Sequence, residues 1–214
     1  MSGFKSLPAY TFVITLFFFS LISEKAIASD ELSSPFFNGT GDGKWATTLF
    51  VGQLTENELA EIVFPQDVTF TSTTFVGAAL SRELYRWKGF SIEAEGGLGY
   101  QFGGGSDESA GHVWGALYGR YDAFPWNHVV HTSVAGSIGL SYITQQTAFE
   151  NSETNDGDTK QLLHYFSPEI TFALPDHRDK ELVLRLHHRS GANGAFGCDG
   201  CGSNIISFGF RKRF

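Results

Sequence analysis

The chain has 214 residues, with 15 Lys and Arg against 23 Asp and Glu, a net charge of −8 and only 18% charged residues. A pI near 5.3 without a Lys/Arg-rich run excludes a general nucleic-acid binder, which needs a basic face to neutralise phosphates. Two cysteines cannot build a disulfide scaffold. A mean hydropathy of −0.10 excludes an ordinary helical membrane protein but leaves a membrane β-barrel open, because lipid-facing and lumen-facing residues alternate and cancel.

The N-terminus has the order of a secretory signal peptide: Lys5, an apolar run from Ala9 to Ile22, and Ala26-Ile27-Ala28 as a cleavage site. That run of 14 residues extends about 21 Å as a helix, short of a hydrocarbon layer of about 30 Å, which argues against a permanent anchor. Residues 1–28 are therefore expected to be removed, leaving residues 29–214 outside the cytoplasm. The removed segment carries Lys5, Glu24 and Lys25, so the remainder is one unit more negative than the whole chain.

The remainder reads as strands near 45–54, 69–81, 90–102, 109–123, 130–142, 160–174, 181–190 and 204–214. The first two alternate poorly. In the third, Phe90, Ile92, Ala94, Leu98, Tyr100 and Phe102 share one face, opposite Ser91, Glu93, Glu95 and Gln101. In the fifth, Val130, Val134, Ile138, Leu140 and Tyr142 oppose His131, Ser133, Ser137 and Ser141. Short breaks at 82–88, 124–128 and 175–180 alternate with mostly longer, polar ones at 55–68, 103–108, 143–159 and 191–203. Eight strands with short turns at one end and long loops at the other is the layout of an all-β, antiparallel transmembrane β-barrel in the outer membrane. The C-terminal Phe214 on an alternating strand resembles the signature read by the barrel-assembly machinery.

Alternation alone fits a soluble sandwich or a lipocalin-like barrel equally well. Charge separates them. If the apolar face meets lipid, Glu93, Glu95, Arg120, Asp122, Glu169, Arg185, Arg189, Arg211 and Arg213 crowd the interior. Eight strands enclose little more than side chains, so mixed-sign charges there can pair and plug the lumen.

On the seventh strand Leu182, Leu184 and Leu186 define the lipid face, and parity puts His188 and Ser190 on it, beside the last long loop. Polar residues facing lipid are costly unless they sit at headgroup level. An imidazole next to a hydroxyl there is the minimum for an activated serine, with His188 as base and Ser190 as nucleophile.

His188-Arg189-Ser190, the Gly/Asn-rich loop after it and the closing Gly-Phe-Arg-Lys-Arg-Phe resemble the PagL family of lipid A 3-O-deacylases, over roughly the last 35 residues. The resemblance implies an eight-stranded outer-membrane barrel that hydrolyses an acyl ester of lipid A with a Ser nucleophile, a His base and an acidic partner, and without a metal or cofactor. Its expected partners are lipid A in lipopolysaccharide, the bilayer and the assembly machinery, and it is compatible with a homodimer. Two positions depart from the family. Gly191 follows the serine where the family commonly has Asn, so the oxyanion would fall to the Gly191 N–H or to Asn193. No Glu occurs after Glu181, which leaves Asp199, or Asn204 on the lipid-facing parity of the last strand, to orient His188.

The alternative is a non-catalytic barrel, structural or adhesin-like, or an inactive member of that family. Cys198 and Cys201 are expected to form a local disulfide. Zinc held by them with His187 and His188 is disfavoured, because the two histidines fall on opposite faces. The glycine run 103–105 is expected to be a flexible loop, and the acidic segment 150–158 a solvated one that binds divalent ions at most.

Overall fold

A computed structural model describes residues 44–63, 67–154 and 159–214; the expected signal peptide lies outside the described residues. The strands are β1 (Trp45–Thr55), β2 (Phe70–Trp87), β3 (Phe90–Gly103), β4 (Ala110–Tyr121), β5 (His131–Ile143), β6 (Leu162–Phe166), β7 (Glu169–Ala173), β8 (Lys180–Ser190) and β9 (Gly202–Arg213). Every pairing is antiparallel, and β1 pairs with both β2 and β9, closing the sheet into a ring. β6 and β7 are two halves of one stave, since both lie between β5 and β8. Pro168, which has no N–H to give, interrupts that stave, yet its carbonyl still accepts from Leu186 N–H at 3.0 Å. Eight staves result. Closure leaves no unpaired sheet edge, the condition for a sheet to cross hydrocarbon.

The second strand runs six residues further than the alternation suggests, to Trp87 rather than 81. Its register shifts between Glu83 and Tyr85, and this bulge puts Leu84 and Tyr85 both outward and breaks the alternation. The turn is then only Lys88-Gly89, both at positive φ (45° and 79°), the two-residue geometry that a tightly twisted hairpin requires. The other turns on this side span 122–130 and 174–179. The opposite end carries the long connections, which include helices α1 (Leu59–Val63) and α2 (Ala148–Glu153) and a 3₁₀ turn at Ser106–Glu108.

Strand parity separates two environments. Leu49, Val51, Leu98, Ile138, Leu182 and Phe208 stand outward, each more than half exposed. Inward-facing residues include Glu93, Glu95, Arg120, Glu169, Glu181, Arg185 and Arg211, all at most 5% exposed. The turn-side half of the lumen is an ion network. Glu169 accepts from Arg120 at 2.7 Å, Arg185 at 2.5 Å and Arg211 at 2.8 Å. Arg185 also grips both oxygens of Glu95, at 2.7 and 2.8 Å, and Arg120 meets Glu93 at 3.1 Å. Arg211 and Arg213 each pair with Glu181, and Arg213 reaches Glu93 at 3.0 Å. Four arginines face four glutamates. Asp122, expected among them, sits instead at the rim in an ion pair with Arg86.

Above this layer the lumen is aromatic. Phe50, Leu54, Phe75, Trp114, Tyr118, Tyr165 and Ile205 form the buried core. Inward apolar residues on β1 and β2 (Phe50, Leu54, Phe75 and Ala79) are the reason those strands alternate poorly in sequence. Inward glycines make room for the rings: a Cβ on Gly97 would lie 2.1 Å from the Trp114 indole. The connection from β5 to β6 folds over the mouth. Thr147 caps α2, accepting from Glu150 N–H at 3.3 Å, and Phe149 packs on the core. Glu150, expected in solvent, is buried against Arg189 at 2.9 Å and accepts from Ser203 at 2.7 Å, because a lumen arginine needs a counter-charge. Residues 155–158 of that acidic segment lie outside the described residues.

Removing one member of a buried charge set strands the others, which typically costs about 3–5 kcal/mol. Glu169→Ala is therefore expected to lower the unfolding free energy by about that amount. Urea unfolding followed by heat-modifiable gel migration measures it. Replacing the exposed Glu56 by Ala is expected to change it by no more than about 0.5 kcal/mol.

Candidate active site

At the loop end of the outer wall, three adjacent strands align six outward positions in two rows, four of them polar. His164 of β6, Ser190 of β8 and Gly202 of β9 are register partners in one row. Phe166, His188 and Asn204 are partners in the next, toward the membrane centre. All lie on the outward parity. Below them on β8 come Leu186, Leu184 and Leu182, of which Leu182 is 65% exposed. His187, by contrast, points into the lumen among Phe75, Trp114 and Tyr165. The two adjacent histidines are thus divided by the sheet. Among the described residues no three His, Cys, Asp or Glu side chains converge in a way that could hold a metal ion.

His188 is held from β9. Its Nδ1 lies 2.6 Å from Asn204 Oδ1, while Asn204 Nδ2 donates to the Asn57 carbonyl at 2.9 Å. The second bond fixes which way the amide faces. With Oδ1 toward the ring, Nδ1 carries the proton and Nε2 keeps its lone pair, the tautomer a general base needs. Asn204 is itself shielded, because the β1–β2 loop carrying Asn57 folds down over it. Phe166 flanks the imidazole edge-on on its other side, with ring centroids 6.4 Å apart. Ser190 is half-buried, and among the described residues its hydroxyl makes no hydrogen bond.

The remaining sequence candidates lie elsewhere. Asp199 is exposed at the tip of the last loop, and its carbonyl accepts from Thr154. Asn193 is exposed in a turn at φ 54°. Cys198 and Cys201 form a disulfide, which packs against Leu163 beneath that loop. The Gly191 N–H donates to the Cys201 carbonyl at 3.1 Å, so it is committed within the loop. A Cβ on residue 191 would lie 2.1 Å from the Cys198 carbonyl oxygen and 2.8 Å from Cys201 Sγ. That contact explains the glycine: the disulfide loop occupies the space where a side chain would stand. Sequence reasoning missed Asn57 and His164. His164 carries the same signal as His188, an imidazole on a lipid-facing row with Leu162 and Phe166, but only the ladder register places it opposite Ser190.

No protein-family model matches the sequence, and no curated protein matches it. Solved structures share its fold. The outer membrane enzyme PagL superposes with a TM-score of 0.52 at 13% identity, over 79% of this chain and 99% of PagL. Neisserial surface protein A superposes with a TM-score of 0.51 at 11% identity, over 80% of this chain and 97% of that one. The chain folds as an outer-membrane β-barrel. Identities this low carry the fold and nothing finer, and one neighbour is an enzyme while the other is a surface protein.

In an outer-membrane barrel the loop end of the wall is where hydrocarbon gives way to headgroups, a depth at which polar side chains are cheap. Gly191→Ala is expected to push the disulfide loop away from the end of β8, with an overpacking cost of about 1–3 kcal/mol. Limited proteolysis of folded barrel should show new cleavage within 192–201, and cleavage equal to wild type would contradict the contact.

Proposed function

We propose that the protein resides in the bacterial outer membrane and hydrolyses an acyl ester of lipid A, with Ser190 as nucleophile, His188 as base and Asn204 as the group that orients the base. The observation that carries this reading is the Nδ1 contact between His188 and Asn204 on the outer wall, next to Ser190. At headgroup depth an imidazole is cheap whatever its role, so the reading rests on its being fixed in the basic tautomer beside a hydroxyl. His188 and Ser190 also stand on the outward parity, so an acylated substrate would meet them without leaving the membrane. An amide orienter fixes the ring without charge, as in Cys-His-Asn hydrolases. Asp199 has no part in this arrangement.

A second reading, a non-catalytic surface barrel, is favoured by the committed Gly191 amide and the outward Asn193, which leave the expected oxyanion donors elsewhere. Mass spectrometry of lipid A from cells expressing wild type and Ser190→Ala separates the two. The hydrolase reading expects wild-type cells to lose an acyl chain that Ser190→Ala cells retain; identical acylation in both supports the surface barrel. Asn204→Ala frees the imidazole and is expected to lower kcat by about 10²-fold, the scale of a misplacement of about 1 Å. Its folding, read by heat-modifiable migration, should be intact.

A further inference from the structure

The site described above has a base and an orienter but no donor for the charge that develops on a substrate carbonyl. The Gly191 N–H is bound to Cys201, and Asn193 faces solvent. Such donors are commonly the largest single contribution to acyl transfer, so an ester hydrolase at this position needs one from another strand.

The ladder between β6 and β8 brings one in. His164 is the direct cross-strand partner of Ser190. Directly opposed residues of an antiparallel pair hold their Cβ atoms about 4.5–5.5 Å apart, whereas two positions along a strand, the separation of Ser190 and His188, amount to about 6.6 Å. By this spacing His164 stands at the position nearer Ser190. It stands on the outward face, half-buried, with Phe196 of the last loop 6.3 Å from its ring. On the far side of Ser190 is Gly202, at φ 136°, where a Cβ would lie 2.0 Å from the Arg189 carbonyl. The hydroxyl thus has bare backbone on one flank and an imidazole on the other.

The two histidines are also held differently. His188 is drawn toward β9 by Asn204. Among the described residues the His164 ring makes no hydrogen bond, so its N–H has no competing acceptor. We propose that His164 is the oxyanion donor of this hydrolase, an assignment that rests on the hydrolase reading above. Ser190 Oγ bonds to the ester carbonyl carbon and gives its proton to His188 Nε2. The carbonyl electron pair moves onto oxygen, which accepts from the His164 N–H. Collapse expels the sugar alkoxide, which takes the proton from His188 and leaves an acyl-serine. Water then attacks by the same route, with His188 as base, and the fatty acid departs. His164 keeps its proton throughout.

The test compares two variants of the full-length barrel on micellar lipid A, with heat-modifiable migration selecting folded protein. His164→Phe keeps the ring shape without a donor; His164→Gln restores an N–H. The expected result is a kcat lower by about 10²–10³-fold for Phe with KM unchanged, and recovery of most of that loss by Gln. Should Phe not fold, Leu at the same position gives the same comparison. A donor-less variant with wild-type kcat, or equal losses in the donor-less and Gln variants, overturns the assignment while Ser190→Ala remains inactive. If wild type and Ser190→Ala leave lipid A identically acylated, the hydrolase reading fails and the role of His164 falls with it.

Discussion

Glu169 receives three fully buried arginines inside a narrow eight-stave barrel, and the rest of the wall is arranged to suit that contact. Four lumen arginines and four glutamates neutralise one another over the turn-side half of the interior. Each unpaired member would face the several-kcal/mol penalty of a desolvated charge. Because side chains alternate along a strand, committing Arg185 and Glu181 inward commits Leu182, Leu184, Leu186, His188 and Ser190 outward. A shift of one residue in β8 would place leucines against Glu169 and charges against lipid, so register is specified from inside the barrel.

The loop end follows from the same parity. Arg189 continues the inward series and is met by Glu150 from the connection above, which draws α2 into the mouth and sets Phe149 on the aromatic core. Its outward neighbours on either side are His188 and Ser190. The arginine that anchors the mouth connection is therefore flanked on one strand by the base and the nucleophile of the candidate site. Asn204 opposite His188 and His164 opposite Ser190 belong to the flanking strands, and each reaches the site through the ladder alone.

Much of this was legible in the sequence. Alternation over 90–102 and 130–142 assigned both faces of β3 and β5, and the leucine run of β8 located His188 and Ser190. Misreadings came where a second force competed with period-two alternation. Inward Phe50 and Phe75 blurred β1 and β2, because the loop-side half of the lumen is filled with rings. The bulge at Leu84 hid the last third of a strand that ends at Trp87. Glu150 looked like part of a solvated acidic loop, because its counter-charge, Arg189, lies 39 residues away in the chain.

By itself the sequence determined the lipid and lumen faces of β3, β5 and β8, since those follow from spacing along one strand and the cost of charge in hydrocarbon. It determined equally that a His and a Ser two positions apart share the outer face. Which residues stand beside them was decided only by the tertiary structure. Cross-strand neighbours depend on register between strands, and register comes from closure of the ring and from the lumen ion pairs, which are contacts between distant segments. For that reason Asn204 and His164 enter the site, while Asp199, nearer to Ser190 in the chain than either, stays in solvent.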